Sequence, residues 1–224
     1  MSDLLLATTN PGKQGEFGRL LHGGPWRLVM PQEIGLDLDV PEPHDTYAEN
    51  AAAKAAAYAR ASGLPTLADD SGIEVAALDW GPGVRTARHG GADHRDRVGL
   101  ILELLGAETD RRARMVCWLA LAVPGMAPDG TPRAPAIELF TGVVEGAVAT
   151  ERRGAGGFGY DPIFLLPSGV TTAELPPAEK DAISHRGRAV AAALPRLRQL
   201  FGDEAPIAGG AAGAGTMGRL EELA

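Results

Sequence analysis

Positive charge is what this chain is short of. Its 21 Lys and Arg stand against 29 Asp and Glu, a formal net charge of −8. A duplex-binding surface usually shows as a basic excess, so nucleic acid is not an expected partner. A small anionic ligand stays open, because a local group of Lys and Arg can sit in an acidic protein. Cysteine is nearly missing, with Cys117 alone. A single thiol excludes an internal disulfide and any all-cysteine metal site, and it fits a reducing compartment. Aromatics are scarce at 5%. No stretch reaches the ~18 consecutive apolar residues of a membrane span, so no membrane partner is expected. The N-terminus carries Asp3 where a secretory signal wants lysines, and its apolar run is too short for one. The expected location is cytoplasmic.

What is present reads as an ordinary globular chain. The 224 residues are 45% hydrophobic and 22% charged. That balance argues against a disordered or fibrous protein. A chain of this length can bury roughly 70% of its unfolded surface and needs no staple. Gly and Pro are plentiful, at 30 and 17, so many turns are expected.

Leu4 to Ala7 form a short apolar run that reads as a buried strand stopping at a turn. A helix follows over 13–21 and a second strand over 26–30, with a Pro- and acid-rich loop at 31–45. Thr46 looks like an N-cap, with Glu49 completing a capping box before an alanine-rich helix that closes at Gly63. Residues 66–75 read as strand, polar turn and strand, the turn falling on Asp69-Asp70-Ser71-Gly72. A helix is expected over 93–105, and two long strands over 113–123 and 136–148, antiparallel across a loop at 124–135. A turn and strand cover 161–166. A terminal helix runs over 188–201, interrupted at Pro195. The mixture implies one α/β domain over 1–204 with a mixed sheet and a cleft between two lobes. Residues 205–224 read as an Ala/Gly-rich flexible tail.

Four segments could carry chemistry. Thr8, Thr9, Asn10, Pro11, Gly12 and Lys13 join a strand to a helix start, where free amides, the helix end and Lys13 would suit a phosphate. The P-loop spacing is absent, and an ordinary β–α turn is the plainer reading. Asp69 and Asp70 are adjacent carboxylates whose repulsion Mg²⁺ would relieve, leaving one free to act as a base; a solvated turn is the alternative. Phe158, Gly159, Tyr160 and Asp161 follow Gly156-Gly157, so the backbone could approach a ligand while the aromatics stack on a flat heterocycle. A tight hairpin with core aromatics competes with that reading. Lys180, His185, Arg186 and Arg188 form a local donor group suited to a purine carbonyl or a phosphate. Jointly the segments indicate a metal-dependent enzyme acting on nucleoside polyphosphates. Composition and spacing stop there.

Five ordered motifs carry a resemblance. LLLATTNPGKQGEF (4–17), TYAENAAAKAAAYA (46–59), GLPTLADDSGIEVAAL (63–78) with GPGVRTAR (81–88), GGFGYDPIFLLP (156–167) and EKDAISHRGRA (179–189) resemble the inosine/xanthosine triphosphate pyrophosphatase family, the RdgB-like enzymes. The resemblance spans roughly Leu4 to Phe201. It implies an elongated mixed sheet with flanking helices, two lobes around a nucleotide cleft, a homodimer and a Mg²⁺ cofactor. It also implies hydrolysis of the deaminated purine triphosphates ITP, dITP and XTP to monophosphate and pyrophosphate. By position, Thr8 through Lys13 match the triphosphate loop and Lys54 a lysine reaching the phosphates. Asp70 matches the proton acceptor and metal ligand, and Ser71 its substrate-contacting neighbour. Phe158 to Asp161 match the base-stacking loop, and Lys180, His185 and Arg186 the group that reads the purine. Glu42 is the match for a second metal carboxylate, although Pro43-His44 departs from the family pattern. A Maf-like pyrophosphatase and a nucleotide-binding regulator without turnover are the competing readings. The SHR and FGYD motifs argue against the first, and Asp70, Lys13 and Lys54 against the second.

Overall fold

The computed structural model describes residues 1–88 and 96–202. In chain order the elements are β1 (Ser2–Leu6), α1 (Pro11–Leu20), β2 (Trp26–Val29), α2 (Tyr47–Ser62), β3 (Thr66–Val75) and β4 (Gly81–Pro82). There follow α3 (Arg97–Leu105), β5 (Arg112–Met126), β6 (Pro132–Val148), β7 (Phe164–Leu165), α4 (Pro177–Ile183) and α5 (His185–Phe201). The tail expected at 205–224, and the first residues of the helix expected at 93–105, lie outside the described residues.

One mixed sheet holds the chain together, in the order β2-β1-β3-β5-β6-β7, with β4 on β3. β1 runs parallel to both neighbours. Leu4, Leu5 and Leu6 are each fully buried, as a strand covered on both faces requires. β3, β5 and β6 are antiparallel and long. At ~3.3 Å per residue the 17 residues of β6 extend roughly 55 Å, which makes the sheet elongated.

The long strands serve two cores. At one end, α1 and α5 pack on one face through Phe17, Leu67, Leu119, Ala189 and Leu197. α2 packs on the opposite face through Ala51, Ala55 and Ala59 against Ala68, Ala120 and Ala122. Small residues on both surfaces let that helix lie close to the sheet. Thr46 caps it by accepting from the Glu49 amide, and Gly63 ends it with a left-handed φ of 71°. At the other end Ile73, Val75, Met115, Val144, Tyr160 and Phe164 pack with Ile101 and Leu105 of α3. These are the two lobes. No helix among the described residues is long and apolar enough to cross a membrane.

Three local expectations are corrected. Asp69 to Gly72 form no turn: β3 runs unbroken, pairing Asp69 with Leu119, Asp70 with Trp118 and Ser71 with Cys117. Alternation along the strand gives each acid its own partners, so neither needs a solvated turn. The loop between β5 and β6 shrinks to 127–131 because both strands extend into it past a bulge at Val123/Gly125. The last helix starts at His185 and continues through Pro195. Ala191, whose carbonyl loses its helical partner there, is exposed and can be hydrated.

Candidate active site

The site follows from where β1 stops. β1 pairs β3 only at Thr66 and Leu67, and β4 covers only Glu74 and Val75. Between them, at Asp69 to Gly72, no described strand pairs on that edge. The chain leaving β1 turns across this gap as the Thr8–Lys13 loop. A cleft of about 420 Å³ opens there, lined by Asn10, Lys13, Ser71 and Gly72 on one side and by Arg97, Met115 and Tyr160 of the second lobe on the other. Phe158, Gly159, Asp161, His185 and Arg186 complete it. A second cavity, of about 280 Å³, shares Asn10 and Lys13 with it and continues to Thr8, Thr9, Glu42 and Lys54.

Strand alternation sends the two aspartates to opposite faces of the sheet. Asp69 faces α1 and α5. It is fully buried, 2.9 Å from Lys13 Nζ and 3.6 Å from Arg186 Nε, and accepts from the Ser71 hydroxyl. Burial works against its ionisation, but Lys13, Arg186 and Lys54 outweigh it and hold the carboxyl below the usual range. Asp70 faces α2. Its Oδ2 accepts from Asn50 Nδ2 at 3.1 Å, and its Oδ1 from the Ser71 amide at 2.9 Å. Burial, reinforced by the Glu42 charge, pushes it up to about 6. Glu42 is ion-paired to Lys54. Repulsion between Asp69 and Asp70, expected from their adjacency, is therefore replaced by repulsion between Asp70 and Glu42.

The loop before α1 also differs from expectation in one respect. Asn10 Oδ1 accepts from the Gly12 and Lys13 amides, Pro11 has none, and the Gln14 amide bonds the Asn10 carbonyl. The helix start is thus already capped. What the loop offers an anion is Lys13, the Asn10 side chain and the Thr8–Thr9 turn.

Phe158 is held by residues beneath and beside it. Its amide donates to Asp161 Oδ2 at 2.7 Å, and Asp161 Oδ1 accepts from the Thr172 hydroxyl at 2.8 Å. Gly157, between them, has φ 67°, and a Cβ there would lie 2.1 Å from the Asp161 carboxylate. The ring rests on Gly12, whose added Cβ would come within 2.5 Å of it. Lys180 Nζ and the Arg186 guanidinium lie 5.2 and 4.9 Å from the ring centroid.

Lys180 is buried, with its ammonium between Glu16 and Asp161. Arg186 bonds Glu16 at 2.9 Å and the Ser71 hydroxyl at 2.8 Å, while its buried Nε has no hydrogen-bond partner among the described residues. His185 is buried, and burial with the neighbouring Arg186 and Lys180 charges keeps it neutral, well below its ordinary pKa. Three cations (Lys13, Lys180, Arg186) thus interlock with three carboxylates (Asp69, Glu16, Asp161).

Of the residues expected from the sequence, Thr8, Thr9, Asn10, Lys13, Glu42, Lys54, Ser71, Phe158 to Asp161, His185 and Arg186 line one or other of these two adjoining cavities. Asp70 lines neither and reaches them through the charges of Glu42, Lys13 and Lys54, while Pro11, Gly12 and Lys180 line a separate cavity with Phe158. Lys180 differs in standing behind Phe158 rather than at the cleft surface. Glu16, Asn50 and Thr172 were missed. Asn50 had a signal, as a poor helix former inside an alanine helix. Glu16 lies three residues after Lys13, on the same face of α1. Thr172 carried none.

Comparison with known proteins follows the same outline. The Ham1 family sequence model matches residues 4–196. A dITP/XTP pyrophosphatase of Nostoc sp. is 41% identical over 204 residues, covering 90% of this chain and 97% of that protein. A dITP/XTP pyrophosphatase of Symbiobacterium thermophilum is 45% identical over 203 residues, covering 88% and 96%. The solved structure of a HAM1 protein from Coxiella burnetii superposes with TM-score 0.76 at 40% identity, covering 89% of this chain and all of that one.

Proposed function

The chain belongs to the Ham1 family, and from that premise we propose that it hydrolyses deaminated purine nucleoside triphosphates (ITP, dITP and XTP) to the monophosphate and pyrophosphate. The observation that carries the reading is a juxtaposition. Asp70, a carboxyl raised by burial and by the Glu42 charge, stands within electrostatic reach of Glu42, Lys13 and Lys54, which line one of the two adjoining cavities. An aromatic ring and a set of donors line the other.

The triphosphate lies along Thr8, Thr9, Asn10 and Lys13 toward Lys54, whose charges offset its own. Binding there draws Lys13 away from Asp69 and Lys54 away from Glu42. Asp70 accepts a proton from a water in line with the α–β anhydride. A pKa near 6 keeps it mostly ionised at neutral pH yet basic enough for the task. The base lies against Phe158, held by the Gly157 turn and Asp161. His185 and Arg186 supply donors for the 6-carbonyl of hypoxanthine or xanthine. Adenine brings an amine to the same place and leaves those donors unpaired, at a cost of ~1–3 kcal/mol.

A divalent cation fits the residues present. The Glu42 charge disfavours the ionised form of Asp70, a cost a cation between them would relieve, and Mg²⁺ binds through one or two carboxylates plus substrate phosphates. These two residues would hold it, and it would supply charge neutralisation at the phosphates. Magnesium as the ion, a homodimeric unit and a cytoplasmic location belong to the same proposal.

The test is pyrophosphate release from ITP, XTP, dTTP and ATP with Mg²⁺. Fast release from ITP and XTP with little from ATP and dTTP is expected. Preference for dTTP would favour the Maf-like reading, and no turnover with any of them the regulator.

A further inference from the structure

Two donors in the cleft are not used by this account. Tyr160 is only 6% exposed, lines the cleft, and its buried hydroxyl has no hydrogen-bond partner among the described residues. A buried hydroxyl left unpaired is uncommon and calls for an explanation. Beside it is Arg97, at the first position of α3 and on the same cleft wall. Its charge reaches the phenol and opposes the push of burial, which takes the Tyr160 pKa up to about 12. The phenol therefore keeps its proton at neutral pH. Arg97 makes no ion pair with any described residue, and its neighbour Asp96 is taken by Arg152 and by the Gly99 amide. Other arginines among the described residues, such as Arg19, Arg114 and Arg186, are ion-paired.

We propose that Arg97 and the Tyr160 hydroxyl form a second reading point for the base, donating to the C2 carbonyl of xanthine and ranking XTP above ITP. The inference rests on the function proposed above. His185 and Arg186 take the 6-carbonyl from the α5 side. The same edge of the purine carries C2 two ring atoms further round, toward the second lobe where Arg97, Met115 and Tyr160 stand. A guanidinium can only donate, so the pair asks for an acceptor. Xanthine has a carbonyl at C2, hypoxanthine a hydrogen, and guanine an amine. The amine confronts Arg97 with a second donor, which gives a physical basis for rejecting GTP although guanine carries the 6-carbonyl.

The experiment measures kcat/KM for XTP, ITP and dITP with the wild-type enzyme, Tyr160→Phe and Arg97→Met, with Tm recorded for each. The XTP-to-ITP ratio is expected to fall about tenfold in each variant, the factor one hydrogen bond supplies. Removing a hydroxyl that has no partner should not lower the Tm of Tyr160→Phe. An unchanged XTP-to-ITP ratio, whether both rates fall together or neither does, overturns the proposal and leaves the function standing. So does a shift confined to the ITP-to-dITP ratio, which would place these donors on the ribose. A wild-type enzyme inert on both ITP and XTP overturns the function, and this proposal with it.

Discussion

Replacing Asp70 with Asn should abolish activity while making the metal-free protein more stable. Asp70 is 7% exposed, and its carboxyl is raised from 3.8 to about 6, first by burial and then by Glu42. Its folded-state pKa lies above the unfolded value. The unfolded chain therefore ionises first as pH rises, and folding bears a penalty that is complete above about pH 6 and gone below about pH 4. A shift of about two units corresponds to roughly 3 kcal/mol. Asparagine removes the charge at equal size and keeps an acceptor for Asn50, but its amide nitrogen cannot accept from the Ser71 backbone. That loss returns about 1 kcal/mol, leaving a net gain of roughly 2 kcal/mol. For a domain of this length the gain is roughly 4–8 °C in Tm. It is to be read at pH 7.5 in EDTA by calorimetry, and it should vanish at pH 4. Turnover of ITP should fall about 10²–10⁴-fold, the usual loss on removing a general base. Retention of a tenth or more of kcat would rule out Asp70 as the base, and a Tm below wild type at pH 7.5 would mean that its buried charge is not a burden on the fold.

Further outcomes follow from the same contacts. Gly12→Ala drives a methyl into the Phe158 ring, so kcat/KM for ITP should drop at least ~10-fold with the far-ultraviolet circular dichroism of the fold preserved. Lys180→Met leaves Glu16 and Asp161 buried without their shared cation, and urea unfolding should show a loss of about 3–5 kcal/mol. His185 is neutral when folded but protonates below 6.5 when unfolded, so stability falls as pH drops below 6.5, by up to about 1.4 kcal/mol per unit. The Asp70 trend runs the other way between pH 4 and 6, so the decline is clearest in an Asp70→Asn background. His185→Gln in that background should flatten it.

Local patterns in the sequence were enough for most elements. The apolar run at Leu4–Ala7 and the Thr46 cap each express a short-range rule, and each element forms where the rule puts it. β5 and β6 form too, but run past the bounds expected for them. Asp69-Asp70-Ser71-Gly72 was misread because its composition is that of a turn. Only the ladder to β5 and the cations on two faces make it a strand, and those partners come from distant segments. The same limit hid the support beneath Phe158. Lys180 meets Glu16 across 164 residues of chain, which no local pattern encodes. The motifs were legible as a family pattern; how the charges within them are paired off was not.

Soaking or co-crystallising the protein with inosine triphosphate in Ca²⁺, in place of the activating ion, would locate the nucleotide on the protein. The polyphosphate is expected along Asn10, Lys13 and Lys54, within reach of Asp70, and the purine against Phe158 with its 6-oxygen toward His185 and Arg186. Nucleotide bound outside this cleft, or with its base at the Glu42 end and its phosphates at Phe158, would contradict that placement.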